Sequence, residues 1–332
     1  MYLPKERDTS IDILRAIALL GLIAAHVEPS DFIFQLRNFD VPMMVVLSGV
    51  AFSMTVSNTN ISYTDYVWKR FVRIIVPTWI FLLIYYLLIE PTPFLLIIRK
   101  FDLMTSWYVW IMRVFFVIAL FAPFVATLIN KLKKSSVLIF LGSLFLLNEF
   151  LCRQAWAQGG GSDKNVIILM NLPYILVFSF GYILKNLTNK QVLCILLSSI
   201  GIYLFKGLYL WNKTGEYVLT QAEKYPPRLY YLAYAFTCIC ALWLLRNQIR
   251  RFSQKCQIGA LFSFIGSHTM WIYFYHILAI DLLPHTTSGI IRYIIVLCLA
   301  TLVTYIQYVV LSYITRKVPT RIGNTLNVIF NG

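Results

Sequence analysis

Of the four histidines in the chain, His26 is the first, and it closes an apolar stretch that also carries Asp12 and Arg15. A charged group placed in hydrocarbon costs about 3 kcal/mol on insertion scales, so such residues point to function more often than ordinary polar residues do. Arg15 precedes His26 by eleven residues, almost three helical turns. A continuous helix projects both from one face, roughly 16 Å apart along its axis. Asp12 and Arg15, at i and i+3, are spaced to pair. Two readings follow. Arg15 snorkels to the inner headgroups while His26 ends the helix at the outer interface. Alternatively, the stripe lines an internal cavity or path. The Asp12 pairing, the shared face and the nearby Glu28 favour the cavity. Imidazole, with an unperturbed pKa near 6.5, is suited to take a proton or carry an acyl group near neutral pH. Glu28 reads as an interfacial carboxylate rather than a group that orients His26.

Further residues fall into the same pattern. Ser48-Gly49 lies inside an apolar run that begins Val41-Pro42. The proline suits a first helical turn, and the small pair permits a close backbone approach or a bend. Arg70 and Arg73 face one way, either as an anchor on the positive side of the membrane or as a clamp for an anionic, phosphate-bearing cofactor. Trp107 and Trp110 read as an aromatic belt, with Arg113 a turn deeper as a cavity candidate. His276 sits in an apolar run, as a tertiary core residue or as part of the same cavity. Lys224-Tyr225-Pro226-Pro227 closes the longest outer connection. There is no P-loop, dinucleotide fingerprint, HExxH or GxSxG pattern. The histidines are too scattered to specify a metal site, so none is expected.

The elements that must position these residues are transmembrane helices. The chain of 332 residues is 59% hydrophobic and only 13% charged, against about 25% in soluble proteins. Apolar runs of the length that crosses a bilayer recur from end to end. They predict an all-α integral membrane protein, a polytopic bundle of about ten helices forming one domain over residues 1–332. The predicted spans are 10–28, 39–57, 74–90, 107–129, 136–152, 166–185, 190–206, 229–246, 259–282 and 290–314. Residues 91–106 read as an interfacial or re-entrant stretch. The first span has no cleavage-type ending and reads as a retained helix. Lysines and arginines favour the side that holds both termini, which places both in the cytoplasm. The formal charge of +15 therefore reflects membrane orientation rather than nucleic acid, for which no signature is present. The six cysteines read as small apolar residues, not a disulfide framework.

Together these residues resemble membrane acyltransferase family 3, the polysaccharide and lipid O-acyltransferases. The match rests on Ser10-Ile11-Asp12-Ile13-Leu14-Arg15-Ala16 followed by His26, and on Val41-Pro42 through Ser48-Gly49. It continues through Lys69-Arg70-Phe71-Val72-Arg73 with Pro77, the tryptophans at 107–110, Lys224 to Pro227, and Gly266-Ser267 through His276. Met43, Met44 and Val45 depart from a more aromatic run. The resemblance implies a bacterial cytoplasmic-membrane enzyme that moves an acyl group, usually acetyl from acetyl-coenzyme A (acetyl-CoA), to a hydroxyl of a glycan or lipid-linked glycan. It implies that Arg15 and His26 are catalytic and that Arg70 and Arg73 face the coenzyme; Asp12, as the partner of Arg15, joins the catalytic group, and Arg113, by its depth, joins the coenzyme-binding one. Ser48, Trp107, Trp110, Tyr225 and His276 are left as cavity or substrate residues. Two other functions fit such a chain, an exporter of glycan or lipid-linked glycan and a structural partner of a polymer synthase.

Overall fold

The computed structural model describes residues 8–55, 62–91, 109–157, 163–284 and 289–331, and these fold as helices. In chain order they are α1 (Thr9–Ala24), α2 (Asp31–Leu36), α3 (Asp40–Thr55), α4 (Tyr63–Leu88), α5 (Trp110–Lys131), α6 (Lys134–Ala157) and α7 (Asp163–Leu184). Then follow α8 (Asn189–Thr214), a 3-10 turn (Thr220–Glu223), α9 (Leu229–Lys255), α10 (Gly259–Ser267), α11 (Thr269–Leu282), α12 (Gly289–Thr315) and α13 (Thr320–Phe330). Among the described residues, seven segments are long and apolar enough to cross a membrane. The protein is thus a polytopic membrane bundle, and its large apolar side chains point outward from helices such as α8 and α12. Phe205 and Ile290 are 71% and 73% exposed.

Each predicted span falls on a helix, but several boundaries differ for identifiable reasons. α1 stops at Ala24, two residues short of His26, and Glu28 then takes a left-handed backbone (φ 54°). His26 therefore stands in the turn beyond the helix, and the single-helix stripe from Arg15 to His26 does not form. α4 starts at Tyr63, well before the predicted span, because Ser62 caps it by accepting the Asp65 N–H at 3.2 Å. Lys69, Arg70 and Arg73 consequently lie on a helix rather than ahead of one. α8 runs on to Thr214, started by a reciprocal Thr188–Gln191 capping box and stopped by Gly215 in the left-handed region. The predicted span 259–282 breaks at His268 into α10 and α11. α13 was not anticipated at all. The stretch proposed as interfacial, 91–106, lies outside the described residues beyond Pro91, as does His285. All six cysteines are free.

α1 is the central post. It packs against α3, α9, α10, α11 and α12, and Leu14, Ala16, Ala18 and Leu19 are fully buried. Lipid tails are as apolar as leucine, so association between such helices relies on close packing. Glycines provide it here. A Cβ on Gly49 of α3 would lie 2.3 Å from the Phe178 carbonyl oxygen of α7, and one on Gly181 would lie 2.1 Å from the Val46 carbonyl oxygen. A Cβ on Gly266 would come within 1.8 Å of the Asp12 carbonyl oxygen, which seals α10 to α1.

Candidate active site

Close packing of α1 on α10 and of α3 on α7 frames an internal cavity of ≈ 290 Å³. It follows α1 from Arg15 past Leu19 to Leu22, a rise of roughly 10 Å over two turns. Residues of α3, α4, α5, α7, α10 and α11 complete its wall. One end is cationic. Arg15, Arg70 and Arg73 all border the cavity. Arg15 lies 3.7 Å from the Asp12 carboxylate, and the Arg70 guanidinium sits 5.1 Å from the Tyr66 ring centre. Pro77, one turn beyond Arg73, cannot donate to the Arg73 carbonyl, so the α4 backbone is broken in its hydrogen bonding at this level. The middle is apolar, formed by side chains such as Met44, Phe115 and Phe178. Ser48 also lines it, with its hydroxyl donating to the Met44 carbonyl at 2.9 Å.

Tyr273 forms the other end. It borders the cavity, and its ring lies 4.9 Å from that of His276 and 6.5 Å from that of His26. Behind it the two imidazoles meet, His26 Nδ1 to His276 Nε2 at 2.8 Å. Chemistry fixes the proton positions of a neutral pair. His276 Nδ1 is hydrogen-bonded to the Tyr273 carbonyl, which can only accept, so Nδ1 carries the proton. Nε2 of His276 must then accept from His26 Nδ1–H. In that tautomer His26 Nε2 carries no proton and acts as an acceptor. His276 is fully buried, whereas His26 is half-buried. The pair thus joins a fixed inner imidazole to an outer one whose basic nitrogen is defined.

A second polar cluster lies beside His26, at the junction of α2 and α3. Asp40 accepts from Arg37 Nη1 at 2.9 Å and from the Val41 N–H at 2.6 Å. Lys224 Nζ stands 4.0 Å from the same carboxylate. His26 lies within electrostatic reach of all three charges. The loop that carries Lys224 is tied down on both sides. Thr220 accepts from Asn38 Nδ2 at 2.8 Å and its N–H donates to Gln35 at 2.9 Å, while Asn148 Nδ2 donates to the Pro227 carbonyl at 3.1 Å. Glu149 accepts from Lys206 Nζ at 2.6 Å, from Arg153 Nε at 2.9 Å and from the Leu229 N–H at 2.9 Å, which pins the start of α9. Trp110 packs edge-on against Tyr225, 5.6 Å between centres, and forms an aromatic wall next to this cluster.

The fold therefore brings Arg15, Arg70, Arg73 and Ser48 to one cavity and places His26 with His276 just past its end. Asp12 pairs with Arg15 outside the cavity wall. Arg113 does not border the cavity: Met112 does, and one further residue rotates by about 100° around the helix. Trp107 lies outside the described residues. His268 stacks on Phe264, 4.3 Å between centres. Sequence reasoning assigned no role to Tyr273, Asp40 or Lys224, although Tyr273 and Lys224 fall inside the motifs quoted for the resemblance. The available signal was weak, an acidic residue at a helix start and a lysine ahead of two prolines.

A protein-family model described as an acyltransferase domain matches residues 8–309. No curated protein and no solved structure matches the chain.

Proposed function

Because the chain belongs to this membrane acyltransferase family, the polysaccharide and lipid O-acyltransferases, we propose that it transfers a short acyl group, acetyl in the first instance, from acyl-CoA to a hydroxyl of a cell-surface or exported glycan. Acyl-CoA is a substrate here, not a resident cofactor. The observation that carries the reading is the polarity of the cavity. Three guanidinium groups border one end, an apolar passage follows, and a histidine pair stands behind Tyr273 at the other. This suits a donor with a polyanionic head and a slender arm. Arginines bind phosphate oxygens through charge-assisted, often bidentate hydrogen bonds, and the apolar lining suits the slender arm.

In the proposed reaction His26 Nε2 takes the proton of the acceptor hydroxyl as its oxygen attacks the thioester carbonyl. His276 keeps His26 in the required tautomer and shares the imidazolium charge by hydrogen bonding. The carbon–sulfur bond then breaks, and the proton on His26 passes to the departing sulfur. The arginine end faces the cytoplasm of a bacterial cell, with both chain termini on that side, and the histidine end faces outward. The donor arm spans the distance, so no separate carrier is required. The test is acyl transfer from radiolabelled acetyl-CoA to glycan by the purified protein in vesicles. His26→Ala is expected to abolish it, and normal transfer by that variant overturns the role of the histidine.

A further inference from the structure

Lys224 is only 3% exposed, yet among the described residues its ammonium makes no hydrogen bond. Its nearest acid, Asp40, is 4.0 Å away and is already engaged by Arg37 and the Val41 N–H. A lysine buried for stability alone sits at hydrogen-bonding distance from its acid, as Lys206 does on Glu149 at 2.6 Å. Lys224 instead faces rings, 5.6 Å from the centre of Tyr225 and 5.8 Å from that of Tyr231. The local charge is unbalanced. Arg37 and Lys224 oppose one carboxylate, and the positive end of the α3 macrodipole adds to them. Burial pushes the ammonium down to about 8, consistent with incomplete neutralisation. Uncompensated buried charge is costly and marks sites where charge of the opposite sign develops.

This cluster lies beside the imidazole assigned as base. We propose that Lys224 is a catalytic residue that donates a hydrogen bond to the oxyanion formed when the acceptor hydroxyl attacks the thioester carbonyl. The inference rests on the acyl-transfer reading above. As the new carbon–oxygen bond forms, the carbonyl π pair moves onto oxygen and faces the ammonium, while the hydroxyl proton moves to His26 Nε2. The carbonyl then reforms, the carbon–sulfur bond breaks, and His26 returns the proton to sulfur. Lys224 donates throughout without losing its proton. An ammonium held on a largely buried side chain suits the task, because it needs little reorganisation as charge develops.

The experiment uses the purified full-length protein with acetyl-CoA and neutral methyl glycosides. Lys224→Met is expected to lower kcat about 100- to 1000-fold, the range seen when an oxyanion donor is removed, with both KM values within about threefold. Lys224→Arg retains most of that loss and supplies the second readout. The lysine must be protonated to act, so wild-type activity falls as pH rises through about 8. In Lys224→Arg that alkaline limb disappears, since guanidinium stays charged. The facing groups that share the site are His26, Asp40 and Arg37, with the phenols of Tyr225, Tyr231 and Tyr174. Tyr225 is pushed up to about 12 and does not titrate in this window. A wild-type kcat in Lys224→Met, a loss confined to acceptor KM, or an unchanged alkaline limb in Lys224→Arg each overturns the assignment. Wild-type protein that transfers to no hydroxyl overturns the acyl-transfer reading instead.

Discussion

Replacing Gly181 by alanine tests the contact that frames the cavity. The added Cβ falls 2.1 Å from the Val46 carbonyl oxygen, and real Cβ contacts essentially never fall under 3.0 Å. α3 and α7 must therefore separate by about 0.9 Å, the difference between those distances. Both neighbours are backbone atoms within helices and cannot swing aside. Gly49→Ala meets the Phe178 carbonyl oxygen at 2.3 Å, which requires about 0.7 Å. Overpacking of this kind costs about 1–3 kcal/mol, or a melting shift of about 3–8 °C. Gly142→Ala and Gly201→Ala are the controls. They have no atom within 4 Å of the new Cβ and should hold or gain up to about 1 kcal/mol from helix propensity. Once one substitution has parted the helices, the second meets space already opened. The double variant should then fall short of the sum by about 1 kcal/mol. Thermal unfolding in detergent, followed by size-exclusion chromatography, measures all five. Because Ser48 and Phe178 line the cavity, the destabilised variants should also show a raised KM for acetyl-CoA. If Gly181→Ala melts with Gly201→Ala, or if the two interface variants add fully, the packing argument is wrong.

Four other outcomes follow from the site. His276→Phe removes the acceptor for His26 Nδ1 and should lower kcat about 100-fold, whereas His276→Gln, which retains an acceptor oxygen, should lose less; steady-state kinetics separates them. Glu149→Ala strands the buried Lys206 ammonium and frees the start of α9, for a cost of about 3–5 kcal/mol read as thermal stability. Arg70→Gln and Arg73→Gln should each raise the KM for acetyl-CoA about tenfold and flatten its dependence on ionic strength, with kcat little changed. Tyr273→Ala widens the way between the cavity and the histidines, so the ratio of thioester hydrolysis to acyl transfer should rise in a product assay.

The sequence made the helices legible because apolar runs of bilayer length have few alternatives. Caps were harder to read. The Ser62 cap with Asp65 at the head of α4 is a local polar signal ahead of the apolar run, so the predicted span began eleven residues late and left Arg70 and Arg73 outside it. The small pair Ser48-Gly49 was readable as a packing device, and Gly49 indeed meets backbone of another helix. Helical arithmetic failed where the helix failed. Projecting His26 onto the face of Arg15 assumed three continuous turns, but α1 ends at Ala24. Arg113 was displaced by a single residue step on α5. The partner of His26 was out of reach for a different reason. No periodicity connects residues 250 positions apart, and only the packing of α1 on α10 and α11 brings them together. Lys224 was visible as part of a pattern, yet its unshared charge depends on how Arg37 and Val41 occupy Asp40.

That separation has a temporal consequence. The residue that sets the proton on His26 is synthesised 250 residues after it. During insertion, α1 enters the membrane long before α10 and α11 exist to seal against it. Until then its imidazole has no fixed tautomer, and the cavity lacks the wall that Gly266, Ser267 and Tyr273 supply. In the proposed reaction, reactivity toward a thioester emerges only once α10 and α11 dock against α1, so a chain inserted only as far as α9 cannot spend acyl donor. Onset of acyl transfer during cell-free synthesis into vesicles then becomes a clock for the docking of α10 and α11.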